Sequence, residues 1–277
     1  MDAGEGFSSV MANYIFAIDK IFLSHDHMDH VAGLTSFFGL RRAAMGDKEK
    51  PVIIYSTSQR ALDLAESIYN LVYQDRKCTY EVTFEKLIYG KRVRLSKNVY
   101  MEPFITLHCK DSAGLMIYSE SQRLKGAYRE NEFFLKQVRE QKRKVTSKHL
   151  EKHYKSLIIN ALDNAGIDFS RNTFTPDTCE LLIDDLTFAE GLEKVEYNEF
   201  EVKHNTPEGV AKNIKLLNPK SVLLSHISSR YMSTKPYMLK NRIISKLRDL
   251  GVSRALEIEV FHPSTSLHKP YTSDIKV

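Results

Sequence analysis

The sequence predicts an α/β fold in a single domain, residues 1–277, on three observations. Short apolar runs rich in Val, Ile and Phe alternate with amphipathic stretches along the whole chain. No internal repeat, low-complexity tract or Pro/Gly-rich linker divides the 277 residues, a length that suits one large domain. Hydrophobic residues make up 42% and charged residues 27%, the balance of a globular chain with a buried core. No run of about 18 apolar residues occurs, and no charged-then-apolar leader precedes Ile15. The expectation is a cytoplasmic protein without a membrane span. Cys78, Cys109 and Cys179 are too few and too scattered for a disulfide framework or a CxxC zinc site.

The elements follow in order. YIFAIDKIFLS (14–24) ends as a buried strand. From Asp29, Val31, Leu34, Phe37, Phe38 and Leu40 recur at helical spacing. PVIIYS (51–56) reads as a strand and SQRALDLAESIYNLVYQ (58–74) as an amphipathic helix. TYEVTFEKL (79–87) and RVRLSKNVYMEPFITLH (92–108) alternate as strands, the second closing at His108, and GLMIYSE (114–120) is another. Residues 121–155 change character. They read as helical around FFLKQVREQKRK (133–144) and hold eleven Lys/Arg against four Glu, a balance of +7. Such a stretch is by default a solvated face, its aromatics Tyr128, Phe133, Phe134 and Tyr154 packing inward. Lying between two strands with candidate ligands, it is also placed to border a site and to steer a polyanion. SLIINALD (156–163) is a strand ending in an acid, and ELLIDDLTF (180–188) is a strand. PEGVAKNIKLL (207–217) is a helix with Thr206 as N-cap and Pro207 at its first position. SVLLSHISSRY (221–231) is a strand, PYMLKNRIISKLRDLG (236–251) a helix and ALEIEVF (255–261) a strand.

One turn carries chemistry. LSHDHMDHVAGL (23–34) packs three histidines and two aspartates into the six positions from His25 to His30. Residues two apart in an extended segment point the same way, so His25 and His27 can face one metal. Asp29 and His30 fall where a helix begins and can face a second. Imidazole and carboxylate ligands suit zinc, with manganese or iron as alternatives. An open site makes bound water acidic enough to act as hydroxide, and two metals about 3.5–4 Å apart can stabilise both attacking and leaving oxygens. Four residues do not complete two sites. Apolar runs ending in His108, Asp163 and His226 offer the rest; taken singly, each histidine could equally be a satisfied strand-end residue. His149 and His153 stand i, i+4 in the lysine-rich stretch, where nothing completes a metal set, and read as a solvated face. His262 and His268 read as tail surface.

HxHxDH (His25, His27, Asp29, His30), followed by lone His, Asp and His after apolar runs, resembles the metallo-β-lactamase superfamily. The resemblance implies a four-layer αβ/βα sandwich holding two divalent ions. It places His25, His27 and His108 on one metal, Asp29, His30 and His226 on the other, and Asp163 between them. SHDHMDHVAGL, DLTF (185–188), HNT (204–206), LLSHISSRY (223–231) and the opening MDAGEGF are similar to the ribonuclease Z branch, the tRNA 3′-end-processing endonucleases, over residues 1 to about 235. That similarity implies an RNA substrate, specifically a tRNA precursor, with Asp29 orienting the nucleophile. His204, held by Asp185, would be a general acid; a helix-cap or surface role is its alternative.

Departures accompany the likeness. The bridging acid stands in Leu162-Asp163-Asn164 rather than Gly-Asp-Thr. Asp177, in Pro176-Asp177-Thr178, is the other candidate, but Asp163 ends a strand and leaves room for a helix before DDLTF. Asp185 stands where the family has Glu, and no Gly/Pro-rich tRNA-gripping arm is visible. The interval from Asp163 to His226 is too short for an inserted helicase-like cap domain. The chain opens at Asp-x-Gly-Glu-Gly, before which the family has several strands. The first sheet is therefore expected to lack its first N-terminal strands, or to be completed by a partner such as a second copy in a homodimer. The net charge of +5 permits a polyanionic partner. Two other readings stay open: a hydrolase of a small ester, lactone or cyclic nucleotide, and a non-catalytic module that binds metal or RNA.

Overall fold

A computed structural model describes residues 1–7, 11, 14–44, 50–75, 77–168, 178–188, 204–228, 236–254 and 256–261. Asp177, His262, His268 and residues 229–231 of the HISSRY segment lie outside the described residues. Period-two alternation sorts the side chains between layers. In β1 (Lys20–Leu23), which leads into the single-turn helix α1 (Met28–Val31), Ile21 and Leu23 face one way and Phe22 the other. β1 pairs in parallel with β2 (Val52–Ser56), and β2 with β3 (Val82–Lys86), giving a sheet in the order β1-β2-β3. Ile21, Leu23, Val52 and Ile54 pack with α2 (Leu34–Ala44) and α3 (Gln59–Tyr73). Ser58 caps α3 by accepting from the Ala61 N–H. Phe22, Ile53 and Tyr55 turn inward to the second sheet.

That sheet has seven strands in chain order: β4 (Val93–Ser96), β5 (Val99–Ile105), β6 (Ala113–Leu124), β7 (Leu150–Ala161), β8 (Cys179–Asp185), β9 (Ser221–Ser225) and β10 (Glu257–Val260). β4 to β7 pair antiparallel and β7 to β10 parallel. Met101, Ala113 and Leu115 meet Phe22 and Tyr55 of the first sheet. Phe104, Met116, Ile159, Leu182 and Val222 point outward. Short helices α4 (Gly126–Arg129) and α5 (Glu132–Arg139) follow β6. α6 (Pro207–Leu217) and α7 (Pro236–Asp249) cover the outer face. Three apolar clusters thus fill the three gaps between four layers, helix, sheet, sheet, helix, as expected. The first sheet holds three strands among the described residues. No described helix is long and apolar enough to cross a membrane.

Two stretches differ from their sequence reading. Residues 92–108 are a hairpin rather than one strand, because Lys97 and Asn98 turn between β4 and β5. Within residues 121–155 the helix expected around FFLKQVREQKRK is present as α5, but both ends of the stretch are strand, because β6 and β7 stay paired out to Leu124↔Leu150. β5 reaches only Ser119, and β8 begins opposite Ser156. Residues 120–124 and 150–155 therefore project as a two-stranded ribbon, with α4 and α5 in the connection. Phe134 packs inward against Tyr128, but Phe133 is 70% exposed. His149 is no solvated residue. It is buried against Tyr128 and Phe134, and its Nδ1 accepts from the Thr146 N–H. His153 lies on β7 opposite Ser121, so the two histidines share no helix face.

Near the end of β8, Asp184 is fully buried. Its carboxylate accepts from Asn164 Nδ2 at 2.8 Å, Asn213 Nδ2 at 3.0 Å, Asn205 Nδ2 at 3.4 Å and the Asp185 N–H at 2.9 Å. Removing the carboxylate strands four buried donors. Asp184→Ala is expected to cost about 3 kcal/mol of folding stability, read as a lower urea midpoint; an unchanged midpoint would show the clamp to be idle.

Candidate metal centre

The ligand-type residues leave one edge of the sandwich. His25 follows β1, and His27 and His30 flank α1. His108 lies three residues past β5, not at its end, because the chain leaves the ladder through an isolated Thr106↔Ile167 bridge. Asp163 lies two residues past β7, and His226 directly follows β9. Asp163 (φ 53°) and His226 (φ 62°) are both left-handed, as is Asp2 (φ 54°). Such backbone is strained for non-glycine residues and clusters at functional sites.

Glycine brings the N-terminus against this edge. A Cβ on Gly4 would lie 2.1 Å from the Asp29 carbonyl oxygen, and one on Gly33 would lie 2.2 Å from the Gly4 oxygen. That contact lets Ala3 N–H donate to the His30 carbonyl and Gly33 N–H to the Ala3 carbonyl. Asp2 is delivered to the site as a result. It accepts from the Ser24 N–H at 2.7 Å and the Ser24 hydroxyl at 2.9 Å, and lies 3.0 Å from His30 Nδ1.

Four histidines are held through Nδ1: His25 by Ser24 Oγ (2.8 Å), His30 by Asp2, His226 by Thr187 Oγ1 (2.8 Å) and His204 by Asp185 Oδ2 (2.8 Å). The Ser24 and Thr187 hydroxyls give their protons to Asp2 and Asp185, so they accept from the rings. In His25, His30 and His204 this directs Nε2 away from the holder, the arrangement of a metal-ligating or proton-donating imidazole, whereas in His226 it is Nδ1 itself that lies 3.3 Å from Asp163 Oδ1.

Two donor groups result. His25, His27, His108 and Cys109 form one, and Asp29, His30, Asp163 and His226 the other; within each, one donor atom per residue lies within 4.8 Å of all the rest. Asp163 Oδ2 is 2.8 Å from His30 Nε2 and 3.8 Å from Nε2 of both His25 and His108. Asp185 and His204 stand beside the second group, which Asp163 and His226 share with them. All nine residues singled out in the sequence are thus brought together. Asp2, Ser24, Thr187 and Cys109 were missed. Only Asp2, in the Asp-x-Gly-Glu-Gly opening, carried a sequence signal.

No family model matches the chain. It is 25% identical over 235 residues to the chloroplastic tRNase Z TRZ2 of Arabidopsis thaliana, spanning 76% of this chain and 58% of that protein's length. It is 24% identical over 239 residues to ribonuclease Z of Oceanobacillus iheyensis, spanning 78% and 73%. Human tRNase Z, short form, superposes with a TM-score of 0.56 at 19% identity, over 83% of this chain and 81% of that one. The metallo-β-lactamase fold protein YhfI of Bacillus subtilis gives 0.56 at 13% identity, over 94% and 82%. The chain has the metallo-β-lactamase fold.

The metallo-β-lactamase fold implies divalent metal, and the residues fit it. His25 Nε2 and Asp163 Oδ1 are buried and hydrogen-bond to no described residue. Burial, with His30 and His108 nearby, pushes His25 down to about 2, so it is a neutral ligand-type ring. Burial works against charge on His30 as well, but hydrogen bonds to Asp163 and Asp2 outweigh it and lift the ring to about 10. Asp163 is held well below the usual carboxylate range, against its own burial, chiefly by His30. Burial pushes the Cys109 thiol up to about 12, with Asp26, Asp163 and Asp111 adding to the effect. The protonated His30 ring therefore spans Asp2 at Nδ1 and Asp163 at Nε2, and a bound metal would take the place of the Nε2 proton.

The sign of that proton's effect can be tested. The folded pKa of His30 lies above its unfolded value of about 6.5. Its contribution to stability is complete below about pH 6.5 and lost as pH rises through about 10. Chelator-treated protein is expected to lose urea resistance progressively between about pH 7 and 10, and Asp2→Asn to flatten the profile. A flat wild-type profile would contradict the ionised His30–Asp163 pair.

Proposed function

We propose that this chain is a dinuclear metal-dependent phosphodiesterase of the ribonuclease Z class, cleaving an RNA phosphodiester in a tRNA precursor. The observation that carries the proposal is the convergence of two metal-donor groups on one edge with the Asp185–His204 pair beside them. Zinc suits the imidazole-rich donor set best. Bound divalent ions would supply Lewis acidity to the phosphoryl oxygens and acidify a coordinated water. His25, His27 and His108 would hold one ion; Asp29, His30 and His226 would hold the other, with Asp163 between. The Asp29 side chain, 63% exposed, is the ligand open to substrate and orients the attacking oxygen. Asp185 holds Nδ1 of His204, leaving Nε2 to protonate the departing 3′ oxygen.

The basic ribbon supports a large polyanionic substrate. All eleven Lys/Arg of residues 121–155 are exposed. They do not border the metal centre, because they cluster at the opposite end of β7 from Asp163. Thirteen residues of extended chain amount to roughly 40 Å. A ligand that touches both places is macromolecular, and a folded RNA supplies phosphates over such a span.

Metal analysis combined with hydrolysis of bis(p-nitrophenyl) phosphate tests the core of the proposal. We expect about two metals per chain and turnover that Asp29→Ala abolishes. His204→Ala should slow RNA cleavage by about 10²–10⁴-fold yet hardly affect bis(p-nitrophenyl) phosphate, whose leaving group needs no proton. Equal losses on both substrates would remove His204 as the acid. Replacing Lys142, Arg143 and Lys144 by Ala should raise KM for RNA and flatten its salt dependence while leaving the small diester untouched. Small-diester turnover without RNA cleavage would favour the small-substrate reading, and bound metal without any turnover a non-catalytic module.

A further inference from the structure

We propose that Cys109 is a further ligand of the first metal position, beside His25, His27 and His108. This rests on the metal-binding reading above. Cys109 Sγ lies within 4.8 Å of a ring nitrogen of each of His25, His27 and His108, which are likewise that close to one another. A tetrahedral zinc shell, with bonds of about 2.0–2.3 Å, sets its donors about 3.5 Å apart, so a modest side-chain contraction closes this one. His25, fully buried, directs into the group an Nε2 that hydrogen-bonds to no described residue. The backbone fixes Cys109 there: Ser112 N–H donates to its carbonyl across a turn in which Asp111 is left-handed.

Charge makes the same assignment. Three neutral imidazoles leave a divalent ion's charge uncompensated in a buried place. Asp163 stands between the two groups, its Oδ2 2.8 Å from His30 Nε2 and 3.8 Å from Nε2 of His25 and His108, so its charge is shared. Asp29 and the shared Asp163 would offset the second ion, and a Cys109 thiolate would supply an anion that belongs to the first group alone. Its thiol proton passes to solvent as the metal binds. A thiolate favours zinc over magnesium or manganese at the first position. The exposed Asp29 is the donor that leaves the second position open to substrate, beside His204, whereas the first is ringed by His25, His27, His108 and Cys109.

Cobalt(II) loading of the full chain is the test. We expect a thiolate-to-cobalt charge-transfer absorption in the near ultraviolet for wild type, absent in Cys109→Ser although the variant still binds cobalt. Bound cobalt with no thiolate band in wild type would overturn the Cys109 assignment and leave the metal reading standing. No cobalt binding at all would sink both. Should Cys109→Ser fail to fold, iodoacetamide labelling of wild type followed by peptide mapping gives the same answer. Zinc should protect Cys109 from alkylation, and equal labelling with and without bound zinc would overturn the proposal.

Discussion

The carboxylate of Asp184 is the interaction on which the site's geometry depends. It touches no ligand group itself. Each donor it gathers, however, is tied to one: Asn164 follows Asp163, Asn205 follows His204, and Asp185 is the partner of His204. Asn213 anchors the same carboxylate to α6. The packing leaves no slack, since a Cβ on Gly209 would lie 1.9 Å from Asn205 Oδ1. Burial pushes the Asp184 carboxyl up to about 6 against the pull of its donors. A buried acid of this kind is poor stabilising material but specifies one arrangement strongly, because every alternative leaves a polar group unpaired.

Around that clamp, the site is built from carboxylates and hydroxyls that never need to meet a metal. Asp2, Ser24, Thr187 and Asp185 each hold an imidazole by Nδ1 or accept from the group that does. The cost is visible in the backbone, where Asp2, Asp163 and His226 all adopt left-handed conformations. Strain of about 1–3 kcal/mol per residue persists only where surrounding contacts over-determine it. Here those contacts are the Asp184 network, the interlock of Gly4 with Gly33, and the hydrogen bond between Thr187 and His226.

This division explains what the sequence disclosed. The turn from His25 to His30 was legible because its ligands are local: a strand end and a helix start fix their directions whatever lies beyond. His108, Asp163 and His226 were legible as polar residues closing apolar runs, though two of them stand in loops beyond their strands. The α/β class followed from alternation, and the four-layer order from family likeness alone. Asp2 was marked only by the Asp-x-Gly-Glu-Gly opening, and the roles of Ser24, Thr187 and Cys109 were not legible. Ser24 and Thr187 are small residues whose roles exist only through partners 22 and 39 positions away, and no periodicity reports such a pairing. Cys109 was set aside because a cysteine ligand was sought in paired CxxC form, whereas here the other donors are histidines. The helix of the basic stretch was legible in its local pattern, but the strand ends on either side of it were not, because β6 and β7 pair across the stretch.

The placement of charge separates two tasks that one active site would find hard to combine. A dense cationic field beside the metals would compete with them for phosphate and push their ligands toward unproductive protonation states. In this fold the metal edge carries histidines and carboxylates, while the densest basic stretch stands at the far end of a long strand. At physiological ionic strength the Debye length is about 8 Å, so the ribbon's field barely reaches the metal centre. Its attraction acts on whatever part of a ligand arrives there. Affinity and chemistry can therefore be tuned independently, provided one rigid, highly charged molecule links the two ends. Under the proposed ribonuclease reading that requirement falls on the substrate, and a structured RNA meets it where a small ester does not.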